Sequence, residues 1–527
     1  MKEVTGELGR NQERTLPYRK RVGGEMNNVR RALHWDYATA ATFDVVIIGG
    51  GVNGACLYAE LCSQGYKVLL ADKGDFACGS SQSSGMMIWG GLLYLRNLDV
   101  RSVYYFSKAR DAMIALMADQ VSPRMLRYAP SLTGGRNPQL IHAVLYLYWM
   151  IGLFQRHRPF VEHNFGESAL ITHGHGECSL LYEEAFLRES DCRFVLHWIA
   201  RFQDPEHVPL NYCAVEGGSY STAEKLWYLR LRDTSGGGEV YTKAKCVINC
   251  AGVWADHINQ EFGIRTPYKH VLSKGVYIGL TRQAEHQVPL IFEMEQEGDV
   301  ITFLPWGPIA LWGPTETMVD SIHAGYSVSA DDVQFLLEQA HRHLRQEVKK
   351  EDIVSLRCGV RPLVVRQSFH RECYPLDISR MHKIVNDDER PWISLYGGKM
   401  TGCVETARKL SAEISRWVPR RNAPVTACTD EVQMELMSFP GLNEKVPSVK
   451  WCMDNELCVT LQDYLRRRTN ISQWVAREGL GQNDEHLAAV ERIALTLNRN
   501  DQTKARASLE QYREQVATRF DSVIAHV

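Results

Sequence analysis

The segment from Phe43 to Asp72 restricts the fold more than any other part of the chain. FDVVII is a short continuous apolar run, Gly49 to Gly54 form a turn, Ala55 to Gln64 carry helical spacing, and YKVLLAD reads as a second strand. Gly49-Gly50-Gly51-Val52-Asn53-Gly54 thus satisfies G-x-G-x-x-G directly after a strand and at the opening of a helix. The glycines permit a tight turn, close approach of backbone to a pyrophosphate and close helix–strand packing. The helix start adds N–H donors and a positive dipole end. Asp72, closing the second strand, can accept both ribose hydroxyls of an adenosine. Strand, turn, helix and carboxylate in register predict a dinucleotide site.

Three features favour FAD over NAD. The unit lies near the N-terminus and is followed by Ser80-Ser81-Gln82-Ser83-Ser84, small hydroxyls suited to a pyrophosphate and ribityl chain. The strand CVINCAG, ending Asn249-Cys250-Ala251-Gly252 with Trp254 and Asp256 after it, has the form of the returning segment of two-dinucleotide-binding flavoproteins. Tyr396-Gly397-Gly398-Lys399-Met400-Thr401 opens a further helix whose positive end can face the flavin N1/O2 locus.

The rest of the chain supplies the frame. Its 527 residues are enough for two or three domains, each with its own core. Residues 1–40 mix Lys, Arg and Glu with little apolar periodicity and read as a flexible extension or surface arm. KCVINCAG, KGVYIGL, VITFLPW and IALWG predict a mostly antiparallel sheet added to the dinucleotide unit. From about Asp430 the pattern turns helical, through Cys458 to Leu465 and Glu485 to Leu497. The expected organisation is therefore an α/β (α+β) chain. A two-dinucleotide-binding FAD domain interleaved with a substrate-binding sheet covers 41–425, and a C-terminal helical domain covers 426–527.

A formal net charge of -2 gives no reason to expect nucleic acid, which would favour a clustered basic face. The 14 cysteines contain no Cys-x-x-Cys pair, so no metal site is expected and reduced buried thiols are. With no signal peptide, a cytoplasmic location follows. Ala143 to Phe154 (AVLYLYWMIGLF), flanked by Arg136, Arg156 and Arg158, falls short of a ~20-residue membrane span. It reads first as a buried core helix and second as a helix in a membrane interface.

From Phe43 to Leu497 the chain resembles the FAD-dependent glycerol-3-phosphate dehydrogenases, within the D-amino-acid-oxidase-like flavoprotein superfamily. The resemblance is carried by DVVIIGGGVNGA, ADKGDFACGSSQSS, WGGLLYL, SDCRFVL, VINCAGVWAD, FLPWGP with WGPTE, CGVRPL, YGGKMT and TLQDYLRRRTNISQWVAREGLG. It implies cofactor contacts from Gly49, Gly51, Asn53, Gly54, Asp72, Lys73, Ser80 and Ser81. It implies others from Gly90, Gly91 and Leu92, from Ala251 and Gly252, and from Gly398, Lys399, Met400 and Thr401. Arg361 would sit over the flavin beside the reacting carbon and steady an alkoxide. Lys399 and Thr401 would lie by the flavin pyrimidine and the substrate. Arg371 would bind a substrate phosphate as a bidentate partner, with Tyr94 in the same pocket.

The departures concern the substrate. The family has lysine, histidine and arginine where Met86, Trp89 and Leu93 stand, and histidine where Tyr277 stands in KGVY. Leu93 in the substrate pocket removes a cation, and losing a charge-assisted hydrogen bond costs about 1.5–3 kcal/mol. Tyr277 could act as the base only if its pKa falls well below ~10. The resemblance implies a dehydrogenase for a small, anionic alcohol with quinone or oxygen as acceptor, peripheral membrane contact on the inner face and a homodimer. An amine or amino-acid oxidase, or a catalytically silent FAD-binding homologue, are the alternatives.

Overall fold

The structure, a computed structural model, describes residues 26–130, 137–163, 170–172, 178–202, 206–294, 299–322, 327–369, 375, 378–420 and 433–527. The strand Thr42–Ile48 is buried along nearly its whole length, as a central strand covered on both faces must be. It pairs in parallel with Val68–Ala71 on one side and Glu239–Asn249 on the other. His207–Leu210 and Trp392–Tyr396 extend the parallel core outward. Lys383–Asn386 and the hairpin Cys213–Ser221/Leu226–Asp233 add antiparallel edges. The helix Val52–Ser63 starts where the glycine turn ends and packs on the helix Cys403–Ile414.

Among the described residues a second sheet of ten strands is mostly antiparallel, with one parallel pairing, Leu290–Glu293 beside Val121–Ala129. KGVYIGL, VITFLPW and IALWG all fall in its strands. Its longest ladder joins Tyr268–Thr281 to Ile353–Arg366, with Ser273 opposite Arg361, Gly275 opposite Gly359 and Tyr277 opposite Arg357. Period-two alternation puts these six residues on one face of the sheet. The opposite face packs on the helix Ala330–His343 and on the C-terminal helices in one apolar core containing Ile278, Trp312, Leu336, Tyr464 and Ile493. The C-terminal helical region therefore shares its core with the second sheet.

Four expectations change. KCVINCAG, expected in the added antiparallel sheet, lies at the end of Glu239–Asn249 in the first sheet, where it pairs in parallel with Thr42–Ile48. Residues 26–40 form a helix that packs on the strands His207–Leu210 and Glu239–Asn249. It is anchored by an Arg31–Asp233 bidentate pair at 2.8 and 2.9 Å and by His34 on the Pro209 carbonyl. This part of the extension is docked rather than flexible, held by polar anchors that apolar periodicity does not register. The helical start expected at Cys458 comes at Leu461, because Asp463 accepts from the Val459 and Thr460 amides and shapes a turn there. The helix Pro138–Ile151 buries only Ile141, Leu145 and Tyr148, a single stripe, and exposes Leu140, Leu147 and Met150, with Leu153 and Phe154 exposed just beyond. It is not a core helix. Among the described residues no helix is long and apolar enough to cross a membrane. The expected boundary near residue 425 lies outside the described residues.

Candidate active site

The cradle begins at Gly49, whose φ of +106° belongs to the left-handed region. A Cβ there would lie 2.6 Å from the Cys250 carbonyl oxygen. A Cβ at Gly54 would fall 1.9 Å from the Gly49 oxygen, so helix and strand meet at a distance only glycine permits. No Ncap side chain covers the first turn of Val52–Ser63; the Val52 N–H donates to Ser81 Oγ at 2.9 Å. Asn53 Oδ1 is buried without a partner, beside Gly398, where a Cβ would meet Asn53 Nδ2 at 3.0 Å.

Asp72 lines the same cavity and accepts from the Gly50 and Gly74 N–H groups at 2.7 and 2.9 Å. Burial pushes its carboxyl up to about 6 against the pull of those two donors. Lys73 lies 4.1 Å over the Trp254 ring, and Asn249 fixes the Ala251–Gly252 turn by accepting from the Ala251 N–H. Glycine-bounded backbone, an unpartnered amide oxygen and a carboxylate set along one trough suit the pyrophosphate and ribose of FAD. The trough is part of a cavity of about 840 Å³, within the range of cofactor and ligand sites.

The same cavity holds a cluster of charges. Arg361 lies flat over Gly275, where a Cβ would be 2.3 Å from its guanidinium. It pairs with Glu316 at 3.0 Å, and Arg380 reaches the same carboxylate oxygen at 3.5 Å. Ser273 donates to the other oxygen of Glu316. Burial opposes ionisation of Glu316, but Arg361 and then Arg380 outweigh it and hold the carboxyl below its ordinary range. Two guanidiniums tied to one carboxylate form a fixed fork for an anion.

Lys399 adds to this cluster. Its Nζ donates to the Trp89 carbonyl at 3.1 Å and sits among the rings of Trp89, Tyr94 and Phe106 at 5.8, 5.5 and 5.1 Å. Burial, reinforced by Arg380, lowers its pKa to about 7, so a substantial fraction is neutral amine near neutral pH.

Of the expected residues, Gly49, Gly51, Asn53, Asp72, Lys73, Ser80, Ser81, Ala251, Gly252, Gly398, Lys399 and Met400 line the cavity, as do Trp89, Leu93, Tyr277 and Arg361. Gly54, Gly90, Gly91, Leu92, Tyr94 and Thr401 do not line it. Gly90 instead gives room to Tyr148 and Arg110, which meet over Glu184; Thr401 is buried and donates to the Trp89 carbonyl at 3.1 Å. Tyr94 reaches the site through its contact with the Lys399 ammonium.

The lowered pKa that a base at Tyr277 would need is opposed here: burial pushes it up, and its hydroxyl lies where a Cβ on Gly85 would be 2.5 Å away. Arg371 lies outside the described residues. Sequence reasoning missed Arg380 and Glu316. Glu316 closes the motif WGPTE, but Arg380 stands in a loop with no pattern of its own. Only the return of the chain from the strand ending at Arg366 to the one beginning at Lys383 brings it to the fork.

A family model described as FAD dependent oxidoreductase matches residues 44–375. A glycerol-3-phosphate dehydrogenase of Pseudomonas tolaasii is 25% identical over 406 residues, covering 76% of this chain and 77% of that protein. The structure of the glycerol-3-phosphate dehydrogenase from Bacillus halodurans, complexed with FAD, superposes with a TM-score of 0.68 at 17% identity, over 95% of this chain and 98% of that one. An L-alpha-glycerophosphate oxidase from Mycoplasma pneumoniae, with FAD bound, gives 0.56 at 14% identity over 73% and 97%. At those identities the two structures establish the likeness of fold alone.

Proposed function

The chain belongs to the FAD dependent oxidoreductase family, and on that premise we propose that it oxidises a small anionic alcohol to a carbonyl compound. The observation that carries this reading is the fork of Arg361 and Arg380 on Glu316, in the cavity that Asp72 also lines. Bound FAD would accept the hydride from the substrate carbon. The chain's own residues do the rest. Arg361 and Arg380 hold the anion and orient the carbinol, Arg361 stabilises the negative charge growing on its oxygen, and the neutral amine of Lys399 takes the hydroxyl proton. The aromatic rings around Lys399 keep water from it.

The relatives' names point to glycerol 3-phosphate, yet Leu93 presents an alkyl side chain to the cavity. An arginine there would add a charge-assisted contact to a phosphate. Leu93→Arg is expected to raise kcat/KM for glycerol 3-phosphate by about 10–100-fold. No gain would mean the wild-type substrate is distinguished by more than this cation. Product analysis tests the reaction class: a carbonyl product without ammonia fits an alcohol, whereas ammonia release would establish amine oxidation instead.

The exposed face of the helix Pro138–Ile151 suits a lipid surface, and membrane quinone is the acceptor such a docking would serve. Leu147, Met150 and Phe154 are 43%, 45% and 58% exposed, and Arg158 stacks over Tyr146 beside them. The protein is expected to co-sediment with anionic phospholipid vesicles. Leu147→Glu with Phe154→Glu should weaken that binding at least about tenfold. Vesicle binding unchanged by both substitutions would remove this face from the account and leave oxygen as the simpler acceptor.

A further inference from the structure

The loop from Asp72 to Ser84 carries two of the cradle's polar groups, Asp72 at one end and Ser81 near the other. Its outer side is gripped by three consecutive arginines of the C-terminal region. Asp75, 1% exposed, accepts from Arg467 Nε at 2.6 Å and from both terminal nitrogens of Arg468 at 2.6 and 2.8 Å. Arg466 donates to the Gln82 carbonyl, and Arg467 Nη1 to Gln82 Oε1 at 3.3 Å. Gln82 Nε2 in turn donates to the Cys78 carbonyl at 2.6 Å, tying the middle of the loop to its end.

All three arginines are buried, on a segment, Asp463–Arg468, wound with π-helical hydrogen bonding. Neighbouring positions of an ordinary helix point in different directions, and π turns recur at functional sites. Asp463 holds the segment, accepting from Arg467 Nη2 and from the Tyr212 hydroxyl, both at 2.6 Å. Tyr212 donates its own N–H to the Gly74 carbonyl at 2.7 Å. The C-terminal region thus meets the loop one to three residues from each cradle group.

Buried ion pairs are weak sources of net stability but strong sources of geometric definition. We propose that Arg466, Arg467 and Arg468 are positioning residues of the FAD site, fixing the loop so that Asp72 and Ser81 are already placed when the cofactor arrives. The C-terminal helical region is then half of a two-part clamp. Coupling of this kind is reciprocal, so FAD must tighten the docking of that region by the same factor by which docking tightens FAD. The inference rests on the reading that this loop holds the ribose and pyrophosphate.

Gln82→Ala cuts the mildest link of the clamp and leaves Asp75 with its arginines. Release of FAD from the holoprotein should become about tenfold faster, for the loss of two side-chain hydrogen bonds, while the apoprotein still unfolds cooperatively within a few degrees of the wild-type temperature. In the wild type, adding FAD should slow amide exchange in residues 461–468 more than in the strand Leu290–Glu293, which lies in the second sheet and shares the same core. A folded variant that releases FAD at the wild-type rate, or equal slowing in both segments, overturns the inference. If the variant fails to fold, the wild-type exchange comparison decides alone. A wild-type protein that binds no FAD at all would instead overturn the parent reading.

Discussion

Arg361→Ala is expected to slow anaerobic reduction of the flavin by about 10²–10³-fold with FAD still bound. That loss is typical of removing one preorganised donor from a growing negative charge. Arg361 is placed for this by its own strand: it stands opposite Ser273, lies over Gly275 and is steered by Glu316 at 3.0 Å. Its removal leaves Glu316 with the Ser273 hydroxyl and, as its one cationic partner in the fork, the longer contact to Arg380, so the pocket also becomes less attractive to an anion. KM should therefore rise as kcat falls. Asp72 and Ser81 are held by the Gly50, Gly74 and Val52 N–H groups and not by Arg361, so cofactor content should match the wild type. Stopped-flow absorbance in the flavin band reads the rate, and released FAD reads the content. Unchanged reduction would make the arginine a structural partner of Glu316 and nothing more.

Lys399→Met should cost about 10²–10⁴-fold in the same step and should change its pH dependence. Lys399 works as a proton acceptor only when neutral, so the wild-type rate should climb as pH rises through about 7, the value to which burial and Arg380 bring it. The variant has no titrating amine and should lose that limb. Stability carries a second signature. Because the folded state disfavours the ammonium, wild-type stability should gain on the variant's as pH rises from about 7 toward the unfolded value of 10.5. A profile that keeps its rising limb in the variant would assign the base elsewhere.

Much of this site could be read from the chain because its determinants are local. Gly49 to Gly54 and Asp72 form the cradle through backbone conformation and short-range spacing, and Arg361 lies on a long strand whose neighbours are set by alternation. What stayed hidden depends on contacts between distant segments. Arg380 joins the fork through a loop, and nothing near it in sequence marks it. Nothing near Tyr277 in sequence shows the burial against Gly85 that raises its pKa. The run around Trp149 is apolar enough for a core helix, yet its neighbours bury only one stripe of it, Ile141, Leu145 and Tyr148. Arg466 to Arg468 are buried because Asp75 comes from the far part of the chain to meet them, while Asp463 of their own segment and the Glu456 carbonyl close around them.

The account stands most directly on anaerobic mixing of the FAD-loaded protein with phosphorylated and unphosphorylated polyols, hydroxy acids and amino acids, while the flavin absorbance is followed. It predicts bleaching by at least one anionic alcohol, with the corresponding carbonyl compound formed in equal amount. A flavin that stays oxidised with every alcohol, or that only amino acids reduce, would contradict it.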